Sequence, residues 1–193
     1  MLRLALRTPG FPLSFATMTK NPSPTSADQA CQRPATLYRY SRREWLERSL
    51  QYGEFRLQPA PSVAAQERSP GIAFGVPPAA SAYLTLSLAH AWDDALFARF
   101  GGDCCLVIHE PEQFGERIHR AAQRLLPSWA GIDAGISYGV PSPLGAAFTK
   151  HREQAAEQEW LFAWRPMQKG LAALAVTLAI GSIEGIAELK ARG

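Results

Sequence analysis

Thr36-Leu-Tyr-Arg-Tyr40 reads as a short strand, in which Leu37 and Arg39 share one face and Tyr38 and Tyr40 the other. Ser41 then stands as an N-cap, and Glu44 completes a capping box. The apolar stripe Trp45, Leu46, Ser49 and Leu50 predicts a helix that Gly53 stops. Phe55-Arg-Leu57 predicts a second short strand. Tyr83-Leu-Thr-Leu-Ser-Leu88 predicts a third, ending near Ser87, and a helix is expected from Ala89 to Phe100, closed by Gly101-Gly102. Cys104-Cys-Leu-Val-Ile108 is apolar throughout, which suits a central buried strand. Pro111, with Glu110 and Glu112 beside it, opens a helix running through Phe114, Ile118, Ala122 and Leu125 to Pro127.

Ala134 to Val140 carries a weaker strand pattern around Ile136 and Tyr138, and Pro141 to Gly145 is a turn. From Lys150 to Trp164 the chain passes from charge into the aromatic run Trp160, Leu161, Phe162 and Trp164. A strand beginning at Glu157 would put Glu157 and Glu159 on one face, whereas a helix would point them nearly oppositely. A further strand is expected around Ala175 to Ile180, and a last helix from Ile183 to Lys190. Strands and helices are interspersed without a regular βαβ rhythm. The expected class is therefore α+β, with a mixed, mainly antiparallel sheet and helices packed on it.

Composition refines this picture. A chain of 193 residues with 47% hydrophobic content can bury one sizeable core. The net charge of +3 comes from Arg3, Arg7, Lys20 and Arg33 against Asp28, so residues 36–193 are balanced. Residues 1–35, broken by Pro9, Pro12, Pro22, Pro24 and Pro34, are expected to form an unstructured basic extension ahead of a single domain. A basic tail on a neutral domain does not make a sequence-specific nucleic-acid reader. Cys31, Cys104 and Cys105 are a poor disulfide framework and suit a reducing, cytoplasmic setting. The four histidines lack zinc-ligand spacing, so no metal is expected. No apolar run approaches the ~20 residues of a bilayer span, so no membrane partner is expected either. Residues 58–80 form a Pro- and Gly-rich loop, and Gly71-Ile-Ala-Phe-Gly75 within it lacks the strand-to-helix setting of a phosphate cradle.

Several residues could carry chemistry. Cys104 or Cys105 with His109 has the composition of a thiol nucleophile and its base, but a hydrophobic strand favours inert core cysteines. Ser87 and His90 lack a nucleophile elbow. Tyr38, Tyr40, Tyr83, Trp92, Trp160 and Trp164 are core residues by default, with one or two free to line a ring-stacking pocket. Arg39, Ser87, Glu157 and Glu159 are explained singly as a salt bridge, a cap and a solvated strand edge.

Taken in order, those four resemble the arginine–serine–glutamate arrangement of the ADP-ribosyltransferase fold. The chain is similar, over roughly residues 36–190, to a large group of uncharacterised bacterial proteins related to that fold and met in phage-defence and toxin contexts. The shared features are the Leu-Tyr-Arg-Tyr strand, the helix ending at Gly53, the Leu-Ser-Leu strand end, Trp92, Phe100-Gly101, Lys150 ahead of Glu157-Gln-Glu159-Trp, and the terminal Ile-Gly-Ser-Ile. The resemblance implies that NAD is the substrate and Arg39 grips its pyrophosphate or ribose. Ser87 would support the ribose and orient the glutamate. Glu159 would stabilise the oxocarbenium-like charge as the glycosidic bond breaks, and Glu157 would align or deprotonate an acceptor. Tyr40 or Trp92 would stack on nicotinamide. ADP-ribose would pass to a protein or nucleic-acid acceptor, or to water. Leu161 departs from the arginine that the group often carries there, so the same fold acting as an inactive binding or regulatory module is the alternative.

Overall fold

The structure, a computed structural model, describes residues 32–60, 83–168 and 170–193. The expectations for most of the N-terminal extension, including Cys31, and for the central loop with Gly71 and Gly75 lie outside the described residues.

Strand β1 (Leu37–Ser41) leads into helix α1 (Arg43–Tyr52), followed by β2 (Glu54–Pro59) and β3 (Leu84–Ala89). Helix α2 (Ala95–Phe100), β4 (Cys104–Ile108) and helix α3 (Pro111–Leu125) come next. Strands β5 (Trp129–Gly135), β6 (Ser137–Tyr138), β7 (Thr149–Lys150) and β8 (Glu159–Pro166) then precede β9 (Val176–Ala179) and β10 (Ala187–Ala191). Short 3-10 turns cover Ala146–Phe148 and Arg152–Glu157. The class is mixed α+β. All the pairings of the eight-stranded main sheet are antiparallel, and the small β6–β7 ribbon is parallel.

The sheet divides at β3. Strand β8 follows one edge of β3 along its whole length, from Leu84 opposite Trp164 to Ala89 opposite Glu159. The other edge is shared: β1 meets it at Ala89, and β2 meets it at Leu84 and Thr85. Strands β1, β4 and β10 therefore form one wing and β2 with β9 another, and a split opens between them along β3.

Alternation assigns the faces. Leu37, Leu88, Leu106, Trp160 and Phe162 lie on one face and form the main core with Leu46 of α1 and Phe114 and Ile118 of α3. The other face is covered in two patches. Leu96 and Phe97 of α2 pack on Tyr40, Cys105 and Val107, while Phe148 packs on Ala134, Leu161 and Ala163. Leu161 is thus an apolar core residue.

Local details depart from the sequence expectations where tertiary contacts intervene. Arg42, not Ser41, is the N-cap of α1, and it makes no side-chain cap. The Asp103 carboxylate accepts from the Arg43 N–H instead, at 2.8 Å. Gly53 ends α1 as expected, at φ +66°, and a Cβ there would collide with the Gly181 carbonyl. The helix expected from Ala89 begins only at Ala95. Residue 89 still belongs to β3, the His90 N–H bonds to the Gln158 carbonyl at 2.8 Å, and the Asp93 N–H bonds to the Tyr40 hydroxyl at 2.9 Å. The expected strand from Ala134 to Val140 is two elements, a long β5 starting at Trp129 and the short β6. The expected final helix is the strand β10, which covers the open edge of β4 from Ala187 opposite Ile108 to Ala191 opposite Cys104. Its alternation of Ala187, Leu189 and Ala191 with Glu188 and Lys190 has the period of a strand.

The chain entering β1 is fastened to the far side of the sheet. The Arg33 guanidinium donates to both oxygens of Asp133 at 2.7 Å and also meets Glu112. Asp133 accepts from the Trp160 indole at 2.9 Å and lies 2.7 Å from His119 Nε2. Burial alone would raise the Asp133 carboxyl, but His119, Arg33 and Trp160 hold it down at about 2.

Candidate functional site

Glu159 opens β8 on the second face of the sheet, in the row Tyr38–Ala89–Glu159 that the strand register defines. It is only 4% exposed. A buried carboxylate must be matched by donors and positive charge, and three segments supply them. Ser87 of β3, on the same face, donates its hydroxyl to Oε1 at 2.5 Å. Lys150 of β7 brings Nζ to 2.5 Å from Oε2. The Glu159 N–H donates to the Tyr138 hydroxyl at 2.9 Å.

Glu157 reaches the same lysine by a different route from the one its spacing suggests. It ends a 3-10 turn rather than lying on the strand, and Gln158 stands between the two acids at φ 44°. That left-handed residue reverses the local direction, so a shared strand face is not what joins the carboxylates. They meet because Lys150 donates to Glu157 at 3.1 Å while pairing with Glu159. Arg99 of α2 closes the other side of Glu157, at 2.6 and 2.8 Å. Burial pushes Glu157 upward, but Arg99 and Lys150 outweigh it and hold the carboxyl below its usual range. Burial likewise pushes Lys150 down, and the two glutamates outweigh it, keeping the ammonium charged. Arg99, Glu157, Lys150 and Glu159 form a charge-balanced chain anchored to Ser87. On its other side Lys150 lines a hollow of about 750 Å3 with Val140, Pro141, His151 and Arg152.

The aromatic candidates separate into two kinds. Tyr40 is 7% exposed and packed among Trp92, Phe97 and Phe100. Burial pushes its hydroxyl up to about 12. It has no face free for a ligand ring, contrary to the stacking role expected of it. Trp92 is 39% exposed and meets Tyr38 edge-on, with ring centres 6.0 Å apart. It forms a small shelf on the same sheet face as Glu159.

Arg39 does not join this group. It lies opposite Leu106 and next to Tyr38 in β1, so strand alternation places it on the face opposite Glu159. Its Nη1 donates to the Ser87 backbone carbonyl at 3.2 Å, filling the edge of β3 that the split leaves open. The sequence order of arginine, serine and glutamate therefore yields a serine–glutamate contact, with the arginine on the other side of the sheet.

Lys150, Arg99 and Tyr138 belong to the cluster and were not among the candidates from sequence. Lys150 entered only as a position ahead of the acids. Its placement depends on the parallel pairing of Tyr138 with Lys150, which carries no sequence signature. Cys104 and Cys105 are fully buried, and burial pushes the Cys105 thiol up to about 12, as suits inert core residues. No group of His, Cys, Asp and Glu side chains among the described residues is arranged to hold a metal ion. No helix among them is long and apolar enough to cross a membrane. No family model, curated protein or solved structure matches the chain.

Proposed function

We propose that the chain acts on NAD at Glu159, breaking the bond between nicotinamide and ribose and passing ADP-ribose to a protein or nucleic-acid acceptor or to water. A toxin or phage-defence effector on an ADP-ribosyltransferase-like fold is the setting that the resemblance suggests. The observation that carries the reading is the Ser87–Glu159 contact, made at 2.5 Å across 72 residues of chain. In the reaction nicotinamide leaves with the electron pair of the glycosidic bond. The positive charge left on the ribose is stabilised by a carboxylate held in place beforehand. Ser87 fixes one oxygen of that carboxylate, and Lys150 balances its charge until substrate arrives. With water as acceptor, oxygen bonds to the ribose carbon and its proton passes to solvent. Trp92, exposed on the same face, supports a stacked ring.

A second reading, a binding or regulatory module without turnover, is favoured by the position of Arg39 across the sheet and by the depth of Glu159. Purified protein incubated with NAD, with free nicotinamide measured by chromatography, separates the two. Turnover lost in Glu159→Gln supports the enzyme. Absence of both turnover and NAD binding leaves the module reading standing.

A further inference from the structure

We infer that the split between the two wings of the sheet holds a second site, which binds a phosphate ester bearing a flat ring, as in a nucleoside monophosphate. The hollow there measures about 350 Å3, and its lining includes Arg39, Trp45, Arg48, Glu54, Arg56 and Thr177. Glu159 and Lys150 are not part of it. Three guanidinium groups face one carboxylate, and that carboxylate is already occupied: Arg48 donates to both Glu54 oxygens at 2.8 and 2.9 Å. Two positive charges remain.

Arg39 is the stronger indication. A guanidinium carries five N–H donors in a planar fork. Its one acceptor among the described residues is the Ser87 carbonyl, and no carboxylate there pairs with it. Half-buried, such a group is held partly out of water without an anion, which is costly, and burial lowers its pKa to about 10. Arg56, exposed on β2, has no partner among the described residues and contributes a second fork. Two arginines with the Thr177 hydroxyl match the oxygens of a phosphate, which arginine binds bidentately. At the rim, Trp45 of α1 is 58% exposed, a large ring left in water beside a cationic hollow. A base stacked on that indole would cover it while its phosphate meets the arginines.

Calorimetry on the full chain at low salt tests this with inorganic phosphate, AMP, adenosine and succinate. AMP is expected to bind, phosphate to bind more weakly, and adenosine and succinate to bind far more weakly than AMP. Arg56→Gln, a surface change that leaves the fold intact, should weaken AMP by about tenfold. Trp45→Ala should weaken AMP and leave phosphate unchanged. Glu159→Gln should leave AMP affinity unaltered, which keeps this site's fate separate from that of NAD cleavage. The inference is overturned if neither AMP nor phosphate binds, if adenosine or succinate binds as well as AMP, or if Arg56→Gln changes nothing.

Discussion

Arg39 and Glu159 hold the same residue, Ser87, from opposite faces of the sheet, the first through its backbone carbonyl and the second through its hydroxyl. This follows from two properties of β3. Its side chains alternate, which sends the Ser87 hydroxyl toward Glu159, and its edge is left uncovered where β1 and β2 part, which brings the Arg39 fork to the carbonyl. Ser87 is therefore a junction between the charge cluster and the cationic hollow.

The hydroxyl half of that junction can be removed alone. Ser87→Ala keeps the carbonyl that Arg39 uses but leaves Glu159 Oε1 without its donor. A buried acceptor deprived of its partner costs about 1–3 kcal/mol. Urea denaturation should show a loss in that range, and Ser87→Ala combined with Glu159→Gln should lose less than the sum of the two single changes.

Lys150 carries a larger share. It is the cation common to Glu157 and Glu159, at 3.1 and 2.5 Å. Lys150→Met leaves two buried carboxylates facing each other with Arg99 alone to balance them. Breaking such a network is expected to cost about 3 kcal/mol at neutral pH. The sign with pH is opposite to that of a salt bridge. Without the lysine the two like charges repel, protonating either carboxyl relieves that repulsion, and the variant's deficit therefore grows as pH rises. The variant should therefore unfold more easily at pH 7 than at pH 5 relative to the parent chain, and adding Glu159→Gln should recover part of the loss. Thermal melts across that range check both points.

Asp133 gives a pH dependence of the ordinary kind. Its carboxyl titrates near 2 in the folded chain against 3.8 unperturbed. A depressed carboxyl contributes stability that is complete above the unfolded value and disappears as pH falls toward the folded one. The shift is worth about 2 kcal/mol. Asp133→Asn should remove that contribution, leave the Arg33 fork with Glu112 as its remaining anion, and flatten the acid limb of the stability profile between pH 4 and pH 2. An acid limb unchanged by the substitution would show that Arg33 and His119 do not anchor there.

Most of the sheet was legible from the sequence because its strands announce themselves. The continuous apolar run of β4, the aromatic run of β8 and the alternation of β1 each reflect how deeply a strand is buried. The helices α1 and α3 were equally plain from their stripes, and Gly53 ended α1 as its position implied. What escaped were features fixed by distant partners. Strand β10 extends because the edge of β4 is open to it, and the loop before α2 is held by the Tyr40 hydroxyl rather than wound as helix. The site divides in the same way. Ser87 and Glu159 were found together from their order along the chain. The position of Arg39 was already implicit in the alternation of β1 but needed the register with β3 to be seen. Lys150 and Arg99 became visible only once β7 and α2 were placed around Glu157.

The remaining prediction concerns a glycine in a place where helices disfavour it. Gly115 lies inside α3, where alanine is ordinarily better by about 1 kcal/mol. Here a Cβ would stand 2.5 Å from Arg33 Cζ and 2.7 Å from its Nε. The Arg33 side chain, 16% exposed and bonded to Asp133, cannot retreat without giving up that pair. Gly115→Ala should therefore destabilise the parent chain, the lost ion pair exceeding the helical gain. In an Arg33→Ala background the obstruction is gone, and the same substitution should stabilise by about 1 kcal/mol. A change of sign between the two backgrounds, measured by chemical denaturation, attributes the glycine to the approach of Arg33. The same sign in both would place its cause elsewhere in the packing of α3.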